Sequence, residues 1–278
     1  MHSIIGLLSV VVMSTVTLGG ITFGYDDLGS GEQTLVLVHG HPFDRSMWRP
    51  QTEHFAERGF RVIAADLRGY GETTVVPGKT LLSTFAKDIA TLLDHRGADR
   101  FVLGGLSMGG QIVMECHRQF PERITGLVLA DTTAEAETGD GRRNRAEMAA
   151  RLLREGMRPY AEEVLWKMVA EDEAAAEHVL RMMLAAPPEG AAAALLGRAE
   201  RPDYLDMLGR VAVPALVVVG TEDEYTPISD ARLMHDRLPD STLVVVEGAA
   251  HMPNLERTEE FNGALHTFLD SIAARTER

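Results

Sequence analysis

The stretch "GGLSMGG", residues 104–110, follows the apolar run "RFVL" and precedes the helical pattern "QIVMECHRQF". Its serine, Ser107, has Gly105 and Gly109 two positions away on either side. Small neighbours allow a strand and a helix to approach closely while the serine hydroxyl stands clear of the turn. Two interpretations are open, a nucleophile or a polar residue in a glycine-rich phosphate loop. The stretch lacks both G-x-G-x-x-G and a following lysine, which disfavours the phosphate loop.

On both sides of this turn, short apolar runs alternate with longer helical patterns. The runs from Thr34 onward are nearly continuous in apolar residues, which is typical of strands covered on both faces. The predicted strands are residues 21–25, 34–38, 61–65, 101–105, 124–130, 215–219 and 242–246. The predicted helices lie around residues 46–58, 83–96, 108–118, 228–238 and 258–274. The alternation predicts an α/β protein with a mostly parallel sheet and helices on both faces.

One interval, residues 134–209, interrupts this alternation with helical patterns alone. "NRAEMAARLLREG", "AEEVLWKMVA" and "EHVLRMMLAA" each place apolar residues three and four positions apart. We therefore expect a helical cap at 134–209, inserted into a core made of residues 13–133 and 210–278. The alanine-rich stretch "AAPPEGAAAALLG", residues 185–197, is expected to be a mobile hinge within the cap.

The composition and the net charge indicate which kinds of partner this chain can bind. The 278 residues carry a formal net charge of −14, which argues against binding to nucleic acid or to an anionic membrane, since both attract clustered lysine and arginine. Cys116 is the only cysteine, so no intramolecular disulfide can form. Histidines and carboxylates do not cluster at ligand spacing, and we expect no metal and no cofactor. The expected partner is a small molecule.

The apolar run "IIGLLSVVVM", residues 4–13, is shorter than the roughly 20 apolar residues that span a bilayer. Only His2 stands where a signal peptide has basic residues, and no small-residue cleavage site follows the run. We expect residues 1–12 to be a non-essential extension, with Met13 as the natural start, and the protein to be cytoplasmic rather than secreted.

If Ser107 is a nucleophile, it needs a base, a group that orients the base, and donors for an oxyanion. Asp131 and Asp223 each follow a predicted strand, and His251 follows the last one. The loops after the carboxyl ends of parallel strands open on one edge of the sheet, so these residues are expected to converge there.

Five motifs occur in the order that the α/β-hydrolase family shows, and they extend from about Leu18 to Leu269. They are "LVHGHPFDRSMW", "DLRGYGET", "GLSMGG", "GTEDEYTP" and "GAAHMPNLERTEEF". The chain resembles the small serine-esterase branch of that family, with carboxylesterases, enol-lactonases and cofactor-free perhydrolases. This resemblance implies the α/β-hydrolase fold. Haloalkane dehalogenases and epoxide hydrolases carry aspartate at the position of Ser107, which argues against both.

The resemblance also implies roles for single residues. Ser107 would be the nucleophile, His251 the general base and Asp223 the acid that orients it. Asp223 is preferred because Gly220 and Pro227 complete its G-x-x-D motif with a proline four residues on. Asp131 is the main competitor, and Glu222 and Glu224 flank Asp223 as possible substitutes. The backbone N–H groups of His41 and Met108 would form the oxyanion hole.

Other residues are given structural roles or pocket roles. His39 is expected to order the loop after the second predicted strand, and Pro42 to shape its turn. Asp66 and Arg68 are expected to form a charge pair, and Cys116 to be a buried apolar group. Six side chains are candidates for lining an acyl pocket, with core packing as the alternative: Met47, Trp48, Trp166, Met168, Met182 and Met183.

The resemblance predicts a serine hydrolase that cleaves small carboxylic esters or lactones through an acyl-enzyme. A cofactor-free perhydrolase or a C–C bond hydrolase would use the same triad. A ligand receptor on this fold is a non-enzymatic alternative. Loss of the serine or the histidine would favour a receptor, whereas this sequence keeps both. Substrate identity and oligomeric state do not follow from the sequence.

Overall fold

The computed structural model describes residues 14–170 and 172–276, and these contain an eight-stranded sheet. Its spatial order is β1-β2-β4-β3-β5-β6-β7-β8. Strand β2 is antiparallel to both neighbours, and strands β3 to β8 are mutually parallel. The strands are β1 (Ser14–Leu18), β2 (Ile21–Leu28), β3 (Thr34–Val38), β4 (Arg61–Ala65), β5 (Phe101–Leu106), β6 (Ile124–Ala130), β7 (Ala215–Gly220) and β8 (Ser241–Val246). All seven predicted strands are present, and the predicted fold class is confirmed.

The first strand, β1, was not predicted. It pairs with β2 in a hairpin whose register runs from Ser14 opposite Tyr25 to Leu18 opposite Ile21. Gly19 and Gly20 form the turn with φ of 57° and 84°, a region that glycine adopts without strain. The sheet therefore begins before Leu18. The predicted extension, residues 1–12, lies outside the described residues.

Helices cover both faces of the sheet, as predicted from the nearly continuous apolar strands. Alternate residues of β3 enter different cores: Val36 and Val38 pack on one face, and Leu35 and Leu37 on the other. The first core contains α2 (Leu82–His95), α3 (Met108–Gln119) and α9 (Ile228–Arg237). The second contains α1 (Arg49–Ala56) and α11 (Thr258–Thr276), which the short α10 (Pro253–Glu256) precedes.

Between β6 and β7 the described chain is helical, as the sequence predicted. The helices are α4 (Gly139–Glu155), α5 (Met157–Met168), α6 (Glu173–Ala185), α7 (Pro188–Arg198) and α8 (Leu205–Leu208). Helix α4 packs against α7, and α5 packs against α6. The exact division into core and cap stays a prediction.

The expected hinge is instead the helix α7. Pro188 occupies its first turn, where the missing N–H costs nothing, and the alanines that follow are strong helix formers. Two glycines let α7 lie directly on the core, because a Cβ on Gly190 would overlap Gly69 and a Cβ on Gly197 would overlap Thr80. The Thr80 N–H donates to the Ala193 carbonyl at 3.0 Å. Helix α7 is thus docked along its length.

No single helix within residues 14–170 and 172–276 has the length and hydropathy needed to cross a membrane. Helices α6 and α7 pass that test only as a pair, and they are bent by 95° relative to each other.

Candidate active site

The four candidate catalytic side chains follow four neighbouring parallel strands. Ser107 comes directly after β5 and Asp131 directly after β6, while Asp223 and His251 follow β7 and β8. Because parallel strands end at the same edge, residues far apart in sequence meet there. One carboxylate oxygen each from Asp131 and Asp223 and one ring nitrogen of His251 all lie within 4.8 Å of one another.

Ser107 sits in a sharp turn between β5 and α3. Its φ of 57° and ψ of −116° lie in a region that side chains other than glycine rarely adopt, so the backbone is strained there. The Ser107 N–H donates to the Ala130 carbonyl at 2.9 Å, which ties the turn to β6. A Cβ on Gly105 would overlap the backbone of Gly109, and a Cβ on Gly109 would overlap Val38. The glycines therefore permit the close strand–helix approach that holds the turn.

Asp223 orients the imidazole of His251. The distance from His251 Nδ1 to Asp223 Oδ2 is 2.8 Å, and both side chains are buried. Oδ1 accepts from the N–H groups of Tyr225 at 2.8 Å and Thr226 at 3.2 Å. Burial by itself would raise the pKa of Asp223, but the charge and hydrogen bond of His251, the Thr226 hydroxyl and the Tyr225 N–H lower it overall. The carboxylate is therefore ionised when it holds the ring.

Asp131, the competing acid, has a different environment. Its Oδ1 accepts from the Gly220 N–H at 2.9 Å, whereas its buried Oδ2 has no hydrogen-bond partner among the described residues. Burial and then the charge of Asp223 raise the pKa of Asp131 well above its ordinary value. Burial and the neighbouring charge therefore favour the protonated form of Asp131, whereas Asp223 is the residue bonded to His251.

The loop that carries His251 is braced by Glu256, a residue that the sequence analysis missed. The buried Glu256 carboxylate accepts from the N–H groups on both sides of the histidine, Ala250 at 3.1 Å and Met252 at 3.0 Å. It also accepts from the Ala170 N–H at 2.6 Å, in the segment between α5 and α6. In "NLERTEE" Glu256 looks like one more surface acid, so only the fold shows its position.

The loop after β3 lies against Ser107. A Cβ on Gly40 would be 3.4 Å from the Ser107 Cβ, which places the predicted oxyanion loop beside Ser107. The buried His39 orders this loop, since its Nδ1 donates to the Gly40 carbonyl at 2.8 Å and its Nε2 accepts from the Leu67 N–H at 2.8 Å. Burial lowers the pKa of His39 to about 4, so the ring is neutral. No hydrogen bond from the N–H of His41 or Met108 reaches another described residue.

The predicted pocket residues occupy two environments. Trp48 and Met182 are buried in the same core cluster as Met168, and Trp48 packs on Phe261 with ring centroids 5.9 Å apart. Their role as pocket residues stays a prediction, as does that of the buried Met47 and Met183. Trp166 lies on the outer surface instead, 61% exposed. The buried face of α5 follows Met157, Ala161, Val164 and Met168, and Trp166 falls on the opposite side of the helix.

The predicted pair of Asp66 and Arg68 is wrong. Arg68 forms two hydrogen bonds with Asp88, at 2.7 and 2.6 Å, and Asp66 is paired with the buried Arg45. Two residues that are close in a motif need not have side chains in contact. Here the partners, Asp88 and Arg45, come from other parts of the chain. Cys116 is buried, as expected, and burial raises the pKa of its thiol well above the ordinary value.

Asp131, Asp223 and His251 are the cluster of described residues that could hold a metal ion. Two of the three residues already use atoms that face each other, because His251 Nδ1 and Asp223 Oδ2 are hydrogen-bonded. A metal there would have to replace that bond.

Comparison with known proteins identifies the family. The model of the alpha/beta hydrolase fold family matches residues 33–258, and the chain belongs to this family. This confirms the resemblance to α/β-hydrolase fold esterases.

Several relatives match over nearly their whole length. The chain is 27% identical over 262 residues to 3-oxoadipate enol-lactonase 2 of Acinetobacter baylyi, covering 92% of this chain and 96% of that protein. A malate-bound thermophilic esterase from Thermogutta terrifontis is 38% identical with a TM-score of 0.88, over 94% and 97% of the two chains. The enol-lactonase from Burkholderia xenovorans LB400 is 25% identical with a TM-score of 0.85, over 92% and 100%.

Proposed function

We propose that this protein is a serine hydrolase that cleaves small carboxylic esters or lactones through an acyl-enzyme. The observation that carries the proposal is the strained Ser107 at the same sheet edge as the 2.8 Å hydrogen bond between His251 and Asp223. Strain of this kind persists where the surrounding structure enforces it, and here it holds a hydroxyl at the end of a strand. The similarity to proteins named esterase and enol-lactonase supports ester and lactone substrates.

In the proposed reaction, Ser107 Oγ attacks the carbonyl carbon while His251 accepts the hydroxyl proton on Nε2. Its Nδ1 is held by Asp223, which fixes the tautomer and stabilises the imidazolium that forms. The carbonyl oxygen becomes an oxyanion that the N–H groups of His41 and Met108 bind. His251 then gives its proton to the leaving alkoxide, and water attacks the acyl-enzyme by the same steps in reverse order.

The first experiment measures hydrolysis of p-nitrophenyl esters of increasing acyl length and of several lactones. Ser107→Ala should lower kcat by about three or more orders of magnitude, because only binding and the oxyanion donors remain. Ser46→Ala is the matched control, since Ser46 Oγ also bonds an imidazole, that of His178 at 2.9 Å, outside the proposed site.

A covalent readout complements the kinetics. A phosphorylating agent such as paraoxon should inactivate the wild type and add one diethylphosphoryl group, which peptide mass spectrometry should locate on Ser107. Labelling of Ser46, or a Ser107→Ala variant that keeps more than a tenth of the activity, would refute the proposed nucleophile.

A further inference from the structure

Helix α7 contributes a buried arginine whose side chain forms a single hydrogen bond. Arg198 is the last residue of α7 and is only 9% exposed. Its Nε donates to Gln111 Oε1 at 3.2 Å, and the two terminal nitrogens of the guanidinium have no partner among the described residues. A guanidinium presents five N–H donors in a fixed fork that matches a carboxylate.

The charged groups around Arg198 do not neutralise its positive charge. Arg145 and Arg201 lie close enough to influence it, and the two share one carboxylate, that of Glu137. Within residues 14–170 and 172–276, Arg198 itself forms no salt bridge. Burial, followed by the charges of Arg145 and Arg201, lowers the pKa of Arg198 well below its ordinary value. A buried cation without a counter-ion is costly, and an anionic ligand would remove that cost.

Polar side chains also lie within range of the Arg198 charge, among them Tyr70, Tyr160 and His41. Burial, followed by the charges of Arg198 and Arg145, holds the pKa of His41 well below the ordinary value. His41 Nδ1 is hydrogen-bonded to the Tyr70 hydroxyl at 2.7 Å, and the Tyr160 ring lies 6.2 Å from the His41 ring. His41 Nε2 is buried without a partner in the described structure. A second polar group is therefore unsatisfied in the same cluster.

The residues of this cluster are attached to elements that carry the proposed active site. Gln111, which holds Arg198, lies four residues after Ser107 in the first turn of α3, about 6 Å along the helix axis. His41 supplies the proposed oxyanion amide, and its loop contacts Ser107 through Gly40. Helix α7 is held on the core by the close approaches at Gly190 and Gly197, so the position of Arg198 is set by backbone packing.

We propose that Arg198 binds a carboxylate of the substrate, with His41 and Tyr70 beside it, and that the natural substrates are esters or lactones bearing a free carboxylate. This inference rests on the proposed function and specifies its substrate class. The carboxylate can belong to the acyl part or to the alcohol part of the ester, because the same fork would bind either.

The experiment compares acids with neutral amides of the same shape. To test a carboxylate on the acyl side, the substrates are the monomethyl esters of malonate, succinate, glutarate and adipate. Each is compared with the same methyl ester in which an amide replaces the free carboxylate. The alcohol arm uses acetoxyacetate beside acetoxyacetamide. In the wild type, kcat/KM for at least one acid should exceed that for its amide by about 10- to 100-fold, mainly through KM, as a charge-assisted pair provides.

Arg198→Met keeps the apolar stem without the charge and should reduce this acid-to-amide ratio to within about threefold of unity. Arg198→Lys keeps the charge without the fork and should give an intermediate ratio. Arg181→Met is the matched control, because Arg181 lies exposed on α6, paired with Glu177 at 2.6 Å. The control should keep the ratio of the wild type. No preference in any pair of the wild type, or a preference that Arg198→Met retains, would overturn the inference.

A binding measurement tests this inference independently of the proposed function. Calorimetric titration of Ser107→Ala with glutarate and succinate should show binding that Ser107→Ala/Arg198→Met loses. If the wild type hydrolyses no ester at all, the proposed function fails, and this titration alone decides the anion site. Equal binding to both variants, or none to either, would reject the site whether or not the protein is an esterase.

Discussion

Exchanging each buried aspartate for asparagine distinguishes the two candidate acids of the proposed triad. Asp223→Asn replaces an ionised carboxylate, 2.8 Å from His251 Nδ1, with a neutral amide that can hold the ring in the wrong tautomer. Loss of this acid costs about 10⁴-fold in kcat in triads of this kind, or about 5.4 kcal/mol in activation free energy.

Asp131→Asn should be mild by comparison. Burial and the charge of Asp223 raise the pKa of Asp131 and so favour its neutral form, which a neutral amide resembles. The amide oxygen can still accept from Gly220 N–H, and asparagine tolerates the φ of 43° at this position. We expect a loss within about tenfold, or about 1.4 kcal/mol.

The assay is kcat/KM for p-nitrophenyl acetate near neutral pH, with thermal melting of both variants as the check on folding. A larger loss in Asp131→Asn than in Asp223→Asn, with both variants folded, would place the acid after β6 and refute the assignment. Equal losses would also contradict the assignment, because they would mean that Asp131 is as important to the reaction as Asp223.

Four further predictions concern stability and positioning. The folded state binds the Asp131 proton more tightly than the unfolded state, so the contribution of Asp131 to stability falls as pH rises above the ordinary carboxyl value of 3.8. Asp131→Asn should therefore gain in unfolding free energy relative to wild type from pH 4 to 7, and a pH-independent difference between the two would contradict this. Ser107→Gly should relieve the strained φ, raising the unfolding free energy in urea by roughly 1 kcal/mol while activity is lost; a destabilised variant would mean that the turn is not strained. Gly190→Ala should cost about 1–3 kcal/mol through overlap with Gly69, whereas Gly263→Ala, in an open helical position, should stabilise by about 0.5–1 kcal/mol. Glu256→Gln should lower kcat about tenfold with little change in KM, because it loosens the loop that positions His251, and a change in KM alone would argue against this role.

The strands and the fold class were predictable because burial on both faces leaves a simple pattern in the sequence. Runs such as residues 35–38 and 215–219 are apolar at every position, and few other structures produce that pattern. Strand β1 gave a weaker pattern, since "STVTL" is half exposed in a two-stranded hairpin and directly follows an apolar run. The order of Ser107, Asp223 and His251 was also visible, because each follows a strand end.

The surroundings of the site were less visible, because they depend on how separate segments dock. Glu256 and Arg198 look like surface charges in sequence, and their burial comes from the packing of α10 and α7. The exposure of Trp166 could have been predicted by counting, since the other apolar residues of α5 recur at helical spacing and Trp166 lies off that face. The expected hinge at residues 185–197 failed because proline and glycine, which often break helices, here begin α7 and let it pack closely.

The attachment of Arg198 also limits how its proposed specificity could change. Its guanidinium is held by Gln111, in the first turn of the helix that follows Ser107, while its backbone is held by the approach of α7 to Thr80. A change of α7 alone would leave Gln111 without its partner, and a change of Gln111 alone would leave the guanidinium free to turn away. The proposed preference for acids therefore depends jointly on α3 and α7, and a transplanted α7 should carry acid selectivity to a relative only together with glutamine at the position of Gln111.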